Sequence, residues 1–429
     1  MKIKRIIAIT CSLMLALFML AACGTSSDTS NTPSSTPSSN TSTVDPGTDP
    51  TPEPPDGNQF ANSVTLKVWA SQEEQDEMGK MVDAFKALYP ATTWDITFGV
   101  VGEPDAKGKI SEDPEAAADV FHFANDQLRD LMDIGALYEV TANKADIIAR
   151  NGAGSIESAT YDGKLYAFPF TADNGYFLYY DKSVFSEDDV KSLDKMLEVA
   201  GAAGKKVFMD VSNGWYIASF FLAKGNLSIT ADGKQICDFN NADGLAAGEA
   251  IKAFTASDAF ITGDDAVLTG GIGGSIAAGV SGTWNAEAIQ TALGDNYAAT
   301  KLPTFTVGGS QVQMSSFGGF KLIGVNSLTK YPLEALALAD YLSNEENQMT
   351  RFKNRQLGPS NTNAANSAEV QANIALAALA EQSAFATSQN DVLGTYWTPA
   401  EGFGTAMEAK DYSKPIQDLL DEMVNQIQG

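Results

Sequence analysis

The stretch YDGKLYAFPFTADNGYFLYYDK, from Tyr161 to Lys182, decides the fold of the whole chain. It begins with an Asp-Gly turn and rises into a short aromatic strand, Lys164 to Phe168. Pro169 and the polar segment Thr171 to Gly175 interrupt that strand, and a second aromatic strand, Tyr176 to Tyr180, follows. A carboxylate, an amide and a glycine between two strands suit a backbone that leaves one sheet for another. We therefore predict that the chain passes here from one lobe to a second, at the mouth of a ligand cleft.

Residues 1–22 have the pattern of a secretory signal peptide. Lys2, Lys4 and Arg5 precede an apolar run from Ile6 to Leu20, which is shorter than the roughly 20 residues that a membrane-spanning helix needs. The run ends in Leu-Ala-Ala-Cys-Gly, which resembles the bacterial lipobox and implies that Cys23 is diacylated and becomes the mature N-terminus. An ordinary cleaved signal with a chance cysteine is the alternative.

Residues 23–60 have the composition of a disordered tether. Ser, Thr, Pro, Asp, Asn and Gly dominate, and Val44 is the only bulky apolar residue from Gly24 to Asn58. Such a segment cannot bury enough apolar surface to offset its ordering entropy. The lipid and the tether would hold the folded part at the extracellular face of the bacterial cytoplasmic membrane. The remaining length fits about two domains.

Charge and cysteine content exclude several classes of protein. The net charge of −26, with a pI near 4.3, argues against nucleic-acid binding and against binding to an anionic membrane surface. Cys11 leaves with the signal and Cys23 carries the lipid, so Cys237 stands alone and no intrachain disulfide forms. We expect Cys237 to be a small buried apolar side chain.

Catalytic signatures are mostly missing from the sequence. His122, the only histidine, lies in an apolar strand without a Gly-x-Ser-x-Gly elbow, and we interpret it as a core residue. One histidine and one mature thiol do not suit a zinc site, and the glycine-rich segments lack phosphate-loop or dinucleotide spacing. We therefore expect no metal and no cofactor. Paired carboxylates for glycoside hydrolysis stay open, because their separation is not visible in a sequence.

Strands alternate with helices along the folded part. Val64 to Ala70 is an alternating strand, and Glu73 to Tyr89 has apolar residues at helical spacing until Pro90. Asp119 to Ala124 is a buried strand, and Asp126 to Ile134 is helical. This alternation predicts a mainly parallel α/β sheet.

Aromatic residues stand beside Asp, Asn or Gly just past several predicted strand ends, where open α/β sheets place their ligand crevices. Trp and Tyr offer a flat apolar face with a polar edge, which suits a sugar ring, and acids and amides can bind its hydroxyls. The pattern therefore favours binding without chemistry. The clusters are Phe123-Ala124-Asn125-Asp126, Thr171 to Tyr176, Asn213-Gly214-Trp215, Gly282-Thr283-Trp284-Asn285 and Tyr396-Trp397.

Nearly the whole mature chain resembles the extracellular solute-binding proteins of ABC sugar importers, in particular the maltose/maltodextrin-binding type. The resemblance implies an α/β, two-lobed periplasmic-binding-protein-like fold with a hinge, an interlobe ligand cleft and three chain crossings. We predict one lobe from residues 61–172 and 315–357, and the other from 173–314 and 358–429. The matching segments are Val68-Trp69 with its following helix, Asp119 to Leu137, Asp162 to Lys182, Ser281 to Phe305, Phe317 to Val325 and Leu357 to Asn361.

The resemblance implies polar ligand contacts at several positions. Asp126 falls on the family's hydroxyl-binding aspartate, next to Asn125, and Gln127 replaces the arginine that follows it there. Asp173 falls near the family's cleft glutamate, and a one-residue length difference leaves Asn174 as a rival. Asn213 falls on another glutamate. Near the N-terminus, Gln72 and Glu73 replace an Asp-Lys pair, which puts preference for the same sugar in doubt.

The resemblance also implies aromatic contacts. Phe123 falls where the family places a stacking tryptophan, and Trp215 falls on a stacking tyrosine. Trp284 matches a stacking tryptophan directly. The last aromatic position of the family aligns with Tyr396, Trp397 or Phe403.

The resulting expectation is a lipid-anchored, monomeric oligosaccharide receptor that delivers its ligand to the membrane permease subunits of an ABC importer. Malto-oligosaccharides are the first expectation, and arabino-, xylo- or fructo-oligosaccharides are alternatives. A receptor for a non-sugar solute and a secreted glycoside hydrolase are the remaining ones.

Overall fold

The structure, a computed structural model, describes residues 60–429. The predicted signal peptide, the lipidation site at Cys23 and the tether up to residue 59 lie outside the described residues. Within the described part, no helix has both the length and the apolar character that crossing a membrane requires.

Strands and helices alternate through most of the described chain, as the sequence predicts. The strands are β1 (Ser63–Ala70), β2 (Thr93–Val100), β3 (Val120–Ala124), β4 (Thr160–Tyr161), β5 (Lys164–Leu165), β6 (Ala167–Gly175), β7 (Phe177–Asp181), β8 (Lys206–Phe208), β9 (Leu227–Ile229), β10 (Gln235–Cys237), β11 (Phe260–Ile261), β12 (Ile276–Ser281), β13 (Tyr297–Thr300), β14 (Thr304–Val307), β15 (Ser310–Gln313), β16 (Ser316–Val325) and β17 (Ala386–Ser388). The helices are α1 (Gln75–Leu88), α2 (Ala106–Glu112), α3 (Leu128–Asp133), α4 (Lys144–Arg150), α5 (Ala153–Ser158), α6 (Leu193–Ala202), α7 (Gly214–Phe221), α8 (Ala242–Ala256), α9 (Asp265–Gly271), α10 (Ala286–Leu293), α11 (Pro332–Leu342), α12 (Glu345–Arg355), α13 (Thr362–Ala365), α14 (Ala368–Gln371), α15 (Ile374–Ser383), α16 (Trp397–Glu408) and α17 (Ile416–Gln428).

The first sheet has the order β17-β16-β3-β1-β2, and β6 also pairs with β16. Strand β1 is parallel to β2 and to β3, whereas β16 is antiparallel to β3 and β6. Because β1 and β3 are parallel, their carboxyl ends, at Ala70 and Ala124, meet at one edge of the sheet. We call this sheet with its helices lobe 1.

The second sheet, which with its helices forms lobe 2, has the order β11-β8-β12-β7-β13. In β7, Phe177 and Tyr179 pack into one apolar cluster, and Leu178 and Tyr180 pack into another. A strand that is apolar on both sides is typical of a sheet covered on both faces. Two sheets of this kind confirm the predicted two-lobed α/β fold.

The chain passes from lobe 1 to lobe 2 between β6 and β7, as the opening stretch predicts, but its local conformation differs from the prediction. Pro169 and Thr171 to Gly175 do not interrupt a strand, because β6 runs through them with register shifts against β16. Pro169 is tolerated since, among the strands of residues 60–429, β6 pairs only with β16, and its other edge makes only an isolated bridge between Thr171 and Pro359.

Strand β16 joins the two lobes, because its two ends pack in different cores. Phe317 packs in the main core of lobe 2, whereas Leu322 and Ile323 pack in the core of lobe 1. At the start of β16, Gly318 lies opposite Gly175 of β6 and also pairs with Ser388 of β17. Strand β17 thus belongs to the first sheet, although residues 358–429 are assigned to the second lobe in our prediction. The other lobe boundaries stay a prediction.

Cys237 is 3% exposed and unpaired, and it packs in the main core of lobe 2, which confirms the interpretation of this residue. Burial raises the pKa of the Cys237 thiol to about 12, so the reactive thiolate does not form at neutral pH.

Candidate functional site

The loops at the ends of strands bring polar and aromatic side chains of both lobes together. Asp126 lies in a 3-10 turn, Asn125–Gln127, directly after β3. Asp173 and Asn174 lie near the end of β6, on the first crossing between the lobes. Trp215 is the second residue of α7, and Trp284 lies in the 3-10 turn after β12. These five predicted site residues lie close together where the two lobes meet, and we call the space beside them the candidate cleft.

Trp215 and Trp284 form the aromatic wall of the cleft on the side of lobe 2. Their ring centroids lie 5.8 Å apart, at an interplanar angle of 40°. The indole Nε1 of Trp284 donates to Asp265 Oδ2 at 3.0 Å, which fixes the plane of the ring. Gly282 is required beneath it, because a Cβ at position 282 would lie 1.9 Å from the Trp284 ring. Both rings are partly exposed, so they retain surface for a ligand.

Lys321 of lobe 1 faces this aromatic wall. Its ammonium lies 5.5 Å from the centroid of the Trp284 ring and 3.2 Å from Glu103 Oε1. Burial lowers the pKa of Lys321, but the carboxylates of Glu103, Glu74 and Asp173 outweigh burial and raise it. Lys321 is therefore a fixed positive charge at the cleft. Lys321 was not predicted from the sequence, because a lysine in an otherwise apolar strand has no signature of its own.

Gln389, in the 3-10 turn Gln389–Asp391 after β17, joins three of the predicted site residues. Its Nε2 donates to Asp126 Oδ1 at 2.8 Å. Its Oε1 accepts from Asn174 Nδ2 at 3.0 Å and from Trp215 Nε1 at 3.3 Å. Gln389 was not predicted from the sequence either, since its partners lie 174 to 263 positions away along the chain.

Asp126 is partly buried, and burial raises the pKa of its carboxyl to about 6. The hydrogen bond from Gln389 and the charge of Lys107 oppose this effect. Neighbouring Asn125 is used within the protein, since its Oδ1 accepts from the backbone N–H of Phe320 at 2.8 Å and its Nδ2 donates to Asn390 Oδ1 at 2.5 Å. Asp126 is therefore better placed than Asn125 to bind a ligand.

Asp173 ties the first crossing to its surroundings through one of its two oxygens. Oδ2 accepts from the Thr283 hydroxyl and from the Gly358 backbone N–H, both at 2.6 Å. Oδ1 is buried without a hydrogen-bond partner among residues 60–429. Asp173 therefore combines a structural role with a buried acceptor atom that no described residue uses.

Three further predicted residues lie where they can reach solvent. Asn213 caps α7, since its side chain accepts from the Trp215 backbone N–H at 2.9 Å. Trp397 is partly exposed and packs against Phe317 with a centroid distance of 5.6 Å. The side chain of Glu73 is 60% exposed, and its Oε1 lies 3.9 Å from Arg355.

Three predicted aromatic contacts are not brought to the cleft. Phe123 is fully buried in the core of lobe 1, because alternation along β3 points it away from the face that carries His122. Tyr396 is fully buried, and its hydroxyl donates to the Gly214 carbonyl at 3.0 Å. Phe403, 2% exposed, packs edge-on against Phe221. Of the three rival aromatics near the C-terminus, only Trp397 keeps an exposed ring.

A buried ionic network lies under the cleft, around Glu74 rather than its predicted neighbour Glu73. Glu74 accepts from Arg351, from Arg355 Nη1 at 2.9 Å, and lies 3.2 Å from His122 Nδ1. Burial raises the pKa of Glu74, but the Arg351 charge and the His122 hydrogen bond together hold it well below its usual range. The interpretation of His122 as a core residue is confirmed by its 1% exposure and its packing against Phe170.

Glu74, Glu103 and His122 are the residues that could hold a metal ion, since one ligand atom from each lies within 4.8 Å of the others. The guanidinium of Arg351 and the ammonium of Lys321 already neutralise the two carboxylates. A divalent cation would have to displace these charges, so we assign no metal to the cluster.

Residues 80–378 match the sequence model of the bacterial extracellular solute-binding proteins. The chain belongs to this family. The binding protein is 29% identical over 364 residues to the galactooligosaccharide-binding protein of Bacillus subtilis (strain 168), covering 78% of this chain and 82% of that one. Because the members of this family are binding proteins and not enzymes, the chain is not a glycoside hydrolase, and that alternative is wrong.

Solved structures agree with the family. A structure solved with acarbose is 33% identical, has a TM-score of 0.76, and the match covers 85% of this chain and 99% of that one. The maltodextrin-binding protein of L. casei BL23, solved without ligand, is 26% identical with a TM-score of 0.71. That match covers 86% of the binding protein and 99% of the relative.

Proposed function

We propose that the binding protein is an extracellular oligosaccharide receptor that closes its two lobes over the ligand. The observation that carries the proposal is that two partly exposed indole rings, Trp215 and Trp284, lie together on lobe 2, and that Gln389 links Trp215 to the Asp126 carboxylate of lobe 1. Flat rings cover the apolar face of a pyranose, and carboxylates accept hydrogen bonds from the hydroxyls at its rim.

Malto-oligosaccharides are the first ligand class that we propose. The maltodextrin-binding relative and the structure with acarbose support this choice. Galacto-oligosaccharides are the second class, because the Bacillus subtilis relative is named for them. Stacking on an indole does not distinguish these sugars by itself, so the choice between them depends on hydroxyl contacts at Asp126 and Asp173.

Three further parts of the proposal rest on the sequence and the family. A lipid on Cys23 would anchor the protein to the extracellular face of the cytoplasmic membrane. The tether of residues 23–60 would let the folded lobes reach the permease subunits of an ABC importer. We propose residues 61–172 and 315–357 as lobe 1 and the rest of the folded chain, apart from β17, as lobe 2, with the protein acting as a monomer.

Titration calorimetry and intrinsic fluorescence test the proposal directly. We would titrate the protein without its signal peptide with maltotriose, a β-linked galactotriose and xylotriose, and use a dipeptide as the non-sugar control. Saturable binding of one of the trisaccharides is the expected result. Failure of all three to bind, or binding of the dipeptide alone, would overturn the proposal.

A further inference from the structure

Gln389 is 4% exposed and lies where the chain returns to lobe 2 after β17. Its carboxamide is in contact with the three parts of the cleft: Asp126 of lobe 1, Asn174 of the first crossing and Trp215 of lobe 2. Gly319 of β16 makes room for it, because a Cβ at position 319 would lie 2.8 Å from Gln389 Oε1. The side chain is therefore enclosed by the groups that it contacts.

A carboxamide is the appropriate group for this position. Its NH2 donates to a carboxylate, and its oxygen accepts two hydrogen bonds at once. A glutamate would place a second negative charge against Asp126, and an aliphatic residue would leave three polar groups without a partner. The identity of residue 389 thus matters for groups on both lobes.

We propose that Gln389 is the positioning residue of the cleft, which holds the Asp126 carboxylate and the Trp215 ring in the orientation that the ligand meets. This inference rests on the proposed function. By donating to Oδ1 of Asp126, Gln389 leaves Oδ2 for a sugar hydroxyl. By accepting from Trp215 Nε1, it fixes the plane on which the sugar ring stacks. A change in the charge of Asp126 on lobe 1 should therefore alter the position of the Trp215 indole on lobe 2, because Gln389 is hydrogen-bonded to both.

The charged groups that face Asp126 are Lys107, whose charge favours the ionised carboxylate, and Asp130, whose charge opposes it. Lys107 and Asp130 are paired with each other at 2.7 Å, so their effects on Asp126 partly cancel. Loss of the Gln389 donor would therefore move the titration of Asp126 upward in pH.

The test compares Gln389→Leu with Gln382→Leu. Gln382 is also fully buried, and it too makes three hydrogen bonds, to Leu302, Met314 and Ser316, none of them a site residue. Affinity for maltotriose and for the galactotriose is measured from about pH 5 to about pH 8, the range that brackets the Asp126 titration.

Binding by the unsubstituted protein should weaken as the pH falls through about 6. Gln389→Leu should bind on the order of ten- to a hundredfold more weakly at neutral pH, and its midpoint should lie at higher pH. Gln382→Leu should lose stability and keep both the affinity and the midpoint. Unchanged affinity and midpoint in Gln389→Leu, or an equal shift in Gln382→Leu, would overturn the proposal.

A measurement without ligand separates this inference from the proposed function. Tryptophan emission of the ligand-free protein should change as Asp126 titrates, and the change should disappear in Trp215→Phe and in Gln389→Leu. If no sugar binds but this pattern is found, the proposed ligand is wrong and the role of Gln389 stands. A pH-dependent change in tryptophan emission that persists in ligand-free Gln389→Leu would overturn that role, whatever the ligand.

Discussion

Trp284 and Trp215 are the residues whose truncation should affect the ligand most directly. If they stack on sugar rings, Trp284→Ala and Trp215→Ala should each weaken binding by about 1–3 kcal/mol. Titration calorimetry with the trisaccharide that binds best is the measurement.

Trp94 provides the control for these two substitutions. It lies among Phe60, Phe85 and Tyr89, in an aromatic group of lobe 1 outside the cleft. Trp94→Ala should therefore lower the stability of the protein and leave the affinity alone. Unchanged affinity in both cleft variants would remove the two indoles from the ligand site.

Glu74 is expected to matter for stability because its carboxylate is shared by the buried Arg351 and the partly buried Arg355. Glu74→Gln leaves these arginines only the more distant carboxylates of Glu77 and Glu73, and removing one partner of a buried ion pair costs about 3–5 kcal/mol. Urea unfolding at neutral pH measures the loss. Glu112→Gln is the control, since the exposed pair of Glu112 with Lys109 contributes at most about 1 kcal/mol.

The loss of stability caused by Glu74→Gln should depend on pH. The pKa of Glu74 is lower in the folded state than the value of about 4.3 expected for an unfolded chain. Its stabilisation is therefore present above that value and is lost as the pH falls through the folded pKa. The difference in stability between the unsubstituted protein and Glu74→Gln should narrow in acid. A difference that stays constant would mean that the charge of Glu74 is not responsible.

At this scale the sequence predicted the residue types of the cleft better than their exact positions. Asp126, Trp215 and Trp284 lie after strand ends in the structure, where this local signal predicts them; their contact with ligand stays a prediction. Phe123 also follows the pattern, but whether a strand residue faces the cleft or the core depends on which face its neighbours cover. Gln389 carries no local signal, because its contacts exist only once three distant segments have met.

Among the elements, helices and strands with a regular apolar period were predictable, and those shaped by close packing were not. The predicted helix from Glu73 to Tyr89 appears as α1 after a short 3-10 turn. Helix α16 was not predicted, since Pro399, Gly402 and Gly404 are residue types that disfavour a helix. Gly404 is needed there because a Cβ would lie 2.1 Å from the Val211 carbonyl oxygen. Such a requirement comes from a neighbouring element and not from the helix.

Strand β16 should not tolerate a side chain at Gly319. A Cβ there would lie 2.4 Å from Asn125 Oδ1 as well as close to Gln389, so Gly319→Ala must displace the Asn125 side chain or the Gln389 side chain from its hydrogen bonds. We expect a loss of stability of about 1–3 kcal/mol together with weaker sugar binding. Thermal unfolding and calorimetry check the two effects.

Gly270→Ala is the matched control, because a Cβ at Gly270 meets no atom within 4 Å. It should leave sugar binding unchanged and should not lower stability, because alanine in helix α9 is favoured over glycine by up to about 1 kcal/mol. If Gly319→Ala bound sugar as tightly as the unsubstituted protein, the Asn125 and Gln389 side chains could shift without disturbing the cleft.

The whole molecule should become more compact when it binds. Because the proposed ligand groups lie on both lobes, only a closed arrangement lets all of them touch one oligosaccharide. Small-angle scattering should show a smaller radius of gyration with a saturating trisaccharide than without it. Trp284→Ala, at a sugar concentration that leaves it unoccupied, is the control. An equal radius with and without bound sugar would argue against closure.

The paired glycines Gly175 and Gly318 determine what kind of motion such closure can be. They lie opposite each other on adjacent strands, where both strands leave lobe 1, and β17 continues the row at the same level. Segments that are hydrogen-bonded side by side resist twisting and sliding, but they bend together about the line that joins them. We therefore expect the lobes to move along a single rotational coordinate. One donor–acceptor distance across the cleft suffices to report the conformational state of the molecule, and its relaxation should follow one exponential.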